Sequence, residues 1–345
     1  MKNKIQQLVR KNIIDLAPYA SARKDYSSRE GIFLDANESP FGIHNRYPDP
    51  YQLLLKQKLA ELKGIDLNQI FLGNGSDEII DLTLRIFCEP YQDKALIFTP
   101  TYGMYQVSAS INAVELINLP LNDEFQINIK ALMPYLSLAT LKLIFICSPN
   151  NPTGNLLKEE DIEFILNHFK GIVYLDEAYI DYCKQPSFAK KLNRYPNLIV
   201  SQTLSKAWGL AGARIGVGYM NQEILAYFNK VKAPYNIGSV GYNVAIDAIG
   251  KKSEFDQRII QILNEKEKVI NALRELTLIR KIYPSDANFL LVEVESANAL
   301  YNKLLEQKII TRNRHSDVAN CLRITIGNPE ENEKLINTLK ILSNA

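Results

Sequence analysis

"NLIVSQTLSKAWGLAGARIGVGYM", residues 197–220, holds two unbroken apolar runs separated by a turn that carries Lys206 and Arg214. Runs such as "NLIVSQ" and "IGVGYM" do not alternate apolar with polar residues. A strand reads this way when both of its faces are covered, the condition inside an α/β sheet. The turn is the unusual part. Lys206 stands beside Ala207, Trp208, Gly209 and Leu210, and two further glycines flank the approach to Arg214. A solvated lysine needs no such setting. A lysine that reacts does, because its amine is a nucleophile only when neutral, and desolvation or a nearby cation lowers its pKa. Taken alone, the string equally fits a Ser-x-Lys hydrolase signature or an ordinary turn.

The same reading extends outward. "KALIFTP", "LKLIFICSP" and "GIVYLDEAY" are also apolar nearly throughout, and helical patterns at 77–88, 102–111 and 159–168 lie between such runs. This alternation predicts an α/β domain with a mostly parallel sheet over residues 70–220. Beyond about residue 238 the order becomes a long helix at 254–276, "NFLLVEVE", a helix at 297–307, "CLRITIG" and a terminal helix, which predicts a smaller α+β domain. The boundary is expected in "KAPYNIGSVG", where Pro234, Gly238 and Gly241 punctuate the pattern. A chain of 345 residues also exceeds what one core usually serves. At the amino terminus Ile5, Leu8, Val9 and Ile13 recur at helical spacing, predicting one amphipathic helix ending near Pro18.

Composition excludes several roles. The 40 basic and 38 acidic side chains leave a net charge of +2 with no long run of one sign, so neither a nucleic-acid partner nor a membrane surface is expected. No stretch approaches the ~20 apolar residues of a membrane span, and the first residues lack a secretory apolar core. Cys88, Cys147, Cys183 and Cys321 have no C-x-x-C spacing, and His44, His168 and His315 are dispersed. No disulfide framework or metal site is expected, and a reducing cytoplasm fits.

Ligands of open α/β sheets bind beyond the carboxyl ends of the strands. Three polar residues fall there: Asn151 after "LIFIC", Asp176 at the end of "IVYLD", and Lys206 after "LIVSQ". "GNGSDE", residues 73–78, follows the strand-like "NQIFL" and opens a helix. Gly75 and the backbone of Ser76 and Asp77 at that helix start suit an anion. Glu78 replaces the third glycine of a dinucleotide fingerprint, and a plain turn capped by Ser76 stays open. "SPNNPTG", residues 148–154, is a turn whose Asn151–Pro152 bond is a cis candidate. A buried Asp176 would be costly without a compensating cation or hydrogen bond; otherwise it is a solvated loop residue. Together, a lysine amine, a carboxylate, a glycine-rich anion site and Arg214 match the needs of pyridoxal phosphate. Its aldehyde takes a lysine, its ring nitrogen an acid, and its phosphate N–H groups and an arginine.

Nine segments in order, "LAPYASAR", "LDANESP", "RYPDP", "GNGSDE", "PTYGMY", "CSPNNPTG", "DEAYIDY", "TLSKAWGLAGARIG" and "CLRITIG", make the chain resemble the aspartate-aminotransferase-like, fold-type I, class II pyridoxal-phosphate-dependent aminotransferases. Within that family it looks like the branch that transaminates L-histidinol phosphate with 2-oxoglutarate, giving glutamate. The resemblance implies a large domain with a mostly parallel seven-stranded sheet at 41–238, an arm at 1–28, and a small domain from 29–40 and 239–345. It implies that Lys206 carries the cofactor as a Schiff base and then moves the substrate proton. Asp176 would pair with the ring nitrogen, Asn151 and Tyr179 would bond the ring oxygen, and Tyr102 would stack on the ring. Gly75, Ser76, Asp77, Thr203, Ser205 and Arg214 would hold the phosphate. Tyr47 would reach it from a neighbouring subunit, making a homodimer part of the site. Arg323 would grip the carboxylate of one substrate and the phosphate of the other, with Tyr19, Asn37 and Arg312 lining that pocket. Arg314 and His315 lie in the loop before Arg323 without an assigned role. Threonine-phosphate decarboxylases and aromatic amino acid aminotransferases share these cofactor residues. Cofactor-sensing regulators on this scaffold carry an added DNA-binding domain, for which the 33 residues ahead of "LDANESP" are too few.

Overall fold

In the computed structural model, which describes residues 5–18 and 31–343, the apolar runs form the middle of a seven-stranded sheet. Its strands are β1 (Ile70–Asn74), β2 (Lys94–Thr99), β3 (Glu115–Pro120), β4 (Leu141–Cys147), β5 (Ile172–Asp176), β6 (Leu198–Thr203) and β7 (Ile215–Met220). They lie in the order β1-β7-β6-β5-β4-β2-β3. Only β7 runs against its neighbours β1 and β6; the other pairs are parallel. Every residue of β5, β6 and β7 is buried. Successive side chains on a strand point to opposite faces. Val173 and Leu175 accordingly join one apolar cluster with Ile144, Ile146 and Val200, while Ile172 and Tyr174 join another with Phe145 and Ile199. With both faces covered, these strands show no alternation in the sequence.

Helices α1 (Lys11–Asp15), α2 (Leu53–Lys63), α3 (Ser76–Phe87), α4 (Met104–Ile111), α5 (Ile129–Leu132), α6 (Glu159–His168), α7 (Gln222–Val231) and α8 (Ser239–Gly250) cover the sheet. α3 and α7 bury Ile79, Leu84, Ile224 and Phe228 on one face. α2, α6 and α8 bury Leu55, Leu59, Ile165, Ala245 and Ile249 on the other. Full burial of each such side chain stabilises by about 1.5–3 kcal/mol. The single amino-terminal helix expected to run to Pro18 is interrupted. The Arg10 N–H donates to the Ile86 carbonyl at 2.9 Å rather than into a helix of its own, and α1 stops at Asp15. Ile5, Val9 and Ile13 still reach the core, and Leu8 packs against it half-buried.

The second body comprises α9 (Lys252–Arg274), β8 (Ile279–Ile282), β9 (Phe289–Val294), α10 (Ala297–Glu306), β10 (Arg312–Asn313), β11 (Cys321–Thr325) and α11 (Pro329–Ser343). Its sheet is antiparallel in the order β10-β11-β9-β8. Its core begins at Val269 and Leu273, whereas Tyr242, Ala245, Ile249 and Phe255 belong to the first core. Packing therefore divides the chain inside α9, near Ile262, and not at the turn around Pro234 where the break was expected. The turn is punctuation before α8, which still packs on the large sheet's helices. Among the described residues no helix is long and apolar enough to cross a membrane.

Gly216 pairs with Gly73 on one side and Thr203 on the other. A Cβ there would lie 2.4 Å from the Gly75 carbonyl carbon and the Ser76 nitrogen, and backbone cannot rotate aside. Gly216→Ala is expected to cost about 1–3 kcal/mol by overpacking, read as a lower urea midpoint at unchanged slope. A midpoint equal to that of the parent protein would contradict this packing.

Candidate functional site

The parallel register sets Cys147, Asp176 and Ser201 side by side at the carboxyl edge of the sheet. The loops that follow β4, β5 and β6 therefore meet. The loop at 148–154 is tied down from within: Asn150 Nδ2 donates to the Pro100 carbonyl at 2.9 Å and to Thr153 Oγ1 at 2.8 Å. The Asn151–Pro152 bond is cis, as are Thr99–Pro100 and Ser148–Pro149. This loop presents Asn151, whose Oδ1 accepts a hydrogen bond from Arg323.

Asp176 is 2% exposed. One oxygen accepts from the Tyr105 hydroxyl at 2.8 Å and the other from the Ala178 N–H at 3.0 Å. Tyr105, on α4, is itself fully buried and stacks on Phe145 with ring centroids 4.8 Å apart. Burial pushes the Asp176 carboxyl up to about 6, against the pull of these two hydrogen bonds. Among the described residues no cation forms an ion pair with this carboxylate.

The anion cradle forms where β1 meets α3. Gly75 has φ +74° and its N–H donates to the Arg214 carbonyl at 2.9 Å. The first N–H groups of a helix lack intrahelical partners, which leaves those of Ser76 and Asp77 facing the crevice they line. Arg214 adopts φ +55°, and its guanidinium lies 3.7 Å from the Asp77 carboxylate. A Cβ on Gly75 would meet that guanidinium at 2.5 Å, so glycine lets the arginine lie over the loop. Thr203 Oγ1 accepts from the Ser205 N–H at 3.1 Å, and Tyr102 donates to Asp77 at 3.1 Å.

Lys206 sits in the turn closed by the Leu210 N–H on the Leu204 carbonyl at 2.9 Å. Its side chain is open to the crevice, with Nζ 5.9 Å from the Tyr179 ring centre. Partial burial first, then the Arg323 charge, pulls its amine below the ordinary lysine value, while Asp176 and Asp77 oppose. Arg323 comes from the second sheet. Leu322 and Ile324 on β11 enter that domain's core, so the strand period turns Arg323 to the other face of its sheet, over Phe289 of the adjacent strand β9, whose side chain joins the first core. β10 sets Arg312 opposite it.

These groups surround one crevice of about 460 Å³, which includes Gly75, Ser76, Asp77, Tyr102, Asn151, Asp176, Tyr179, Thr203, Ser205, Lys206, Arg214, Arg312 and Arg323. Asn37 and Tyr47 do not line it within one chain. Asn37 is exposed at φ +55°, and the Tyr47 ring stacks on Tyr235 at 4.3 Å. Tyr19 lies outside the described residues. Two contributors had no sequence signal strong enough to assign them. Tyr105 reads as an ordinary helix-face aromatic, yet it supplies the Asp176 hydrogen bond. Arg314 lines the crevice and pairs with Asp317 at 2.8 Å; only its place beside Arg312 hinted at this. Among the described residues no cluster of His, Cys, Asp or Glu could hold a metal. The cradle, the open lysine and the buried acid fit a phosphorylated pyridine aldehyde in size and polarity.

The family model for aminotransferase class I and II matches residues 27–339. A histidinol-phosphate aminotransferase of Parabacteroides distasonis is 46% identical over 339 residues, 97% of this chain and 98% of that protein. The crystal structure of the histidinol-phosphate aminotransferase from Clostridium acetobutylicum superposes with a TM-score of 0.80 at 25% identity, covering 87% of this chain and 91% of that one. That of Sinorhizobium meliloti, in complex with pyridoxal-5'-phosphate, has the same fold, with a TM-score of 0.80 at 21% identity and 97% of each chain covered.

The raised Asp176 carboxyl gives a pH prediction with a definite sign. The folded chain holds this proton up to about pH 6, whereas the unfolded chain releases it near the ordinary value of ~3.9. Between these values the folded state binds more protons, so stability is lost as pH rises through the interval, by about 3 kcal/mol at most. In cofactor-free protein, Asp176→Asn should remove that decline. Urea unfolding measured from pH 4 to 7 checks it, and identical pH slopes in both proteins would contradict the burial argument.

Proposed function

The chain belongs to the class I and II aminotransferase family, and we propose that it transfers the amino group of L-histidinol phosphate to 2-oxoglutarate with pyridoxal phosphate as cofactor. The observation that carries this reading is the meeting of Lys206, Asp176 and three arginines, Arg312, Arg314 and Arg323, around one crevice. The 46% identity with a histidinol-phosphate aminotransferase over nearly the full length supports the substrate pair.

Bound pyridoxal phosphate supplies an electron-withdrawing ring that takes up the electron pair of a breaking bond at the substrate α-carbon. The residues of this chain do the rest. Asp176 holds a proton on the ring nitrogen, and its burial makes that ion pair strong. Asn151 Oδ1 accepts from Arg323, which leaves its Nδ2 as the donor that would reach the ring oxygen alongside Tyr179. Tyr102 packs against the ring. The backbone of Gly75, Ser76 and Asp77 holds the phosphate with Thr203, Ser205 and Arg214. Lys206, its amine below the usual lysine value, would serve as the base that moves the proton of the substrate α-carbon. Arg323 and Arg312 hold first the phosphate of the amino donor and then a carboxylate of the acceptor, since an arginine fork fits both anions. The two substrates thus take turns in one pocket, a ping-pong cycle.

A homodimer belongs to this reading, with Tyr47 completing the phosphate site of a second copy. Supporting it, Ile32, Leu34, Phe41 and Ile43, on the segment before Tyr47, are exposed at 84–93%, an apolar surface of the kind partners cover. The four cysteines are free, consistent with work in a reducing cytoplasm.

A steady-state assay with L-histidinol phosphate and 2-oxoglutarate should yield glutamate. Arg323→Met should lower kcat/KM roughly 10- to 100-fold for both anionic substrates, the loss of a charge-assisted hydrogen bond. Carbon dioxide release from phosphothreonine without glutamate formation, or preferential turnover of phenylalanine, would replace this substrate assignment. For the dimer, mixing Tyr47→Ala with Lys206→Ala protein should restore part of the activity through hybrids. Hybrids that form and stay inactive would remove Tyr47 from the shared site.

A further inference from the structure

A second cleft, of about 310 Å³, opens at the amino-terminal end of β1, between α2 and the end of α7. It is lined by Lys56, Lys230 and Lys232 together with Asn68 and Asn229, and none of its lining residues is acidic. Two of the three ammonium groups are satisfied by the protein. Lys230 Nζ donates to the Ile14 carbonyl at 2.6 Å, and Lys232 Nζ lies within hydrogen-bond reach of the carbonyls of Pro50, Ala233 and Pro234 at 3.1, 3.2 and 3.0 Å and of Asn236 Oδ1 at 3.4 Å. Lys56 differs. It is only 8% exposed, and its amine has no hydrogen bond or ion pair among the described residues.

The Lys56 ammonium opens to the cleft and is not sealed off, but a cation so largely desolvated is still costly without a partner. Burial, and then the Lys232 charge, pushes the Lys56 amine down to about 8, with Asp49 opposing. Asp49 is engaged elsewhere, accepting from the N–H groups of Tyr51 and Leu53 at 2.8 and 3.0 Å. The cleft therefore has an excess of positive charge, and one ammonium group waits for an acceptor. We propose that it binds a small oxyanion, either free phosphate or the phosphate of a monoester, on the Lys56 ammonium, with the charge of Lys232 beside it and the Asn229 amide as a further donor. Lysine acts as a compact point charge rather than a planar fork, which suits a tetrahedral phosphate. Ile70, at the cleft, and Gly75, in the cradle, are separated by the length of β1, roughly 15 Å at the rise of a strand. The two anion sites are separate.

Site-specific amine labelling tests this on the cofactor-loaded protein. Reductive methylation at pH 8, followed by mass spectrometry, reports the neutral fraction of Lys56, with exposed Lys334 as the internal control. An oxyanion in the cleft raises the Lys56 pKa, and each unit gained cuts its labelling about tenfold. Inorganic phosphate should protect Lys56 and leave Lys334 unchanged. Glycerol phosphate, as the monoester probe, should also protect if the cleft admits a substituent; protection by inorganic phosphate alone assigns the site to the free anion. Protection should persist in Arg323→Met, where the other anion pocket is impaired. Lys56→Met should lose the phosphate-dependent rise in Tm contributed by this cleft. Absence of protection, equal protection by potassium chloride at matched ionic strength, or loss of protection in Arg323→Met would each overturn the site.

Discussion

The site depends on a carboxylate buried at the end of a central strand. Asp176 is placed by the β5 ladder and fixed by Tyr105, and an isolated charge there opposes folding. In the proposed function the crevice in front of it makes the position tolerable, because a protonated ring nitrogen bound there would supply a counter-charge. The parallel register of β4, β5 and β6 carries the constraint further. It forces the Asn151 loop, the Asp176 end and the Lys206 turn to face one another, so three separate stretches of chain line one crevice.

The second domain completes the crevice and does not merely flank it. Its Arg323 reaches Asn151 across the division, and the Asp286 N–H meets the Gly154 carbonyl at 2.8 Å while an Asp286 carboxylate oxygen accepts from the Leu156 N–H at 2.7 Å. Gly154, at φ +88°, makes room for Ser285. The loop that presents Asn151 is thus braced by the same domain that supplies Arg323. Any change in how the two domains sit would move Asn151 and Arg323 together.

Much of this was legible before any coordinates. Doubly covered strands announce themselves as continuous apolar runs, and Asn151, Asp176 and Lys206 stood out as polar residues at the ends of such runs. Helix α6 falls at the expected residues because its acidic first turn and its Ile162, Ile165 and Leu166 stripe agree. The edge strand β3 was not legible, since "ELINLP" has contacts on one side only and mixed exposure. β10, two residues long, has no pattern to read. The break at Arg10 and the division inside α9 escaped for a shared reason: each is decided by a tertiary contact, the Ile86 carbonyl in one case and the two rival cores in the other. Tyr105 and Arg314 act through what they touch, and a tyrosine on a helix face or an arginine in a loop does not signal its partner.

The central claim is that the amine of Lys206 captures the cofactor aldehyde while Asp176 serves its ring nitrogen. The direct measurement is borohydride reduction of the purified protein saturated with pyridoxal phosphate, followed by digestion and mass spectrometry. The account predicts a reduced covalent link on the peptide that contains Lys206, at one cofactor per chain. A link found only on other lysines, or none at all, would contradict it.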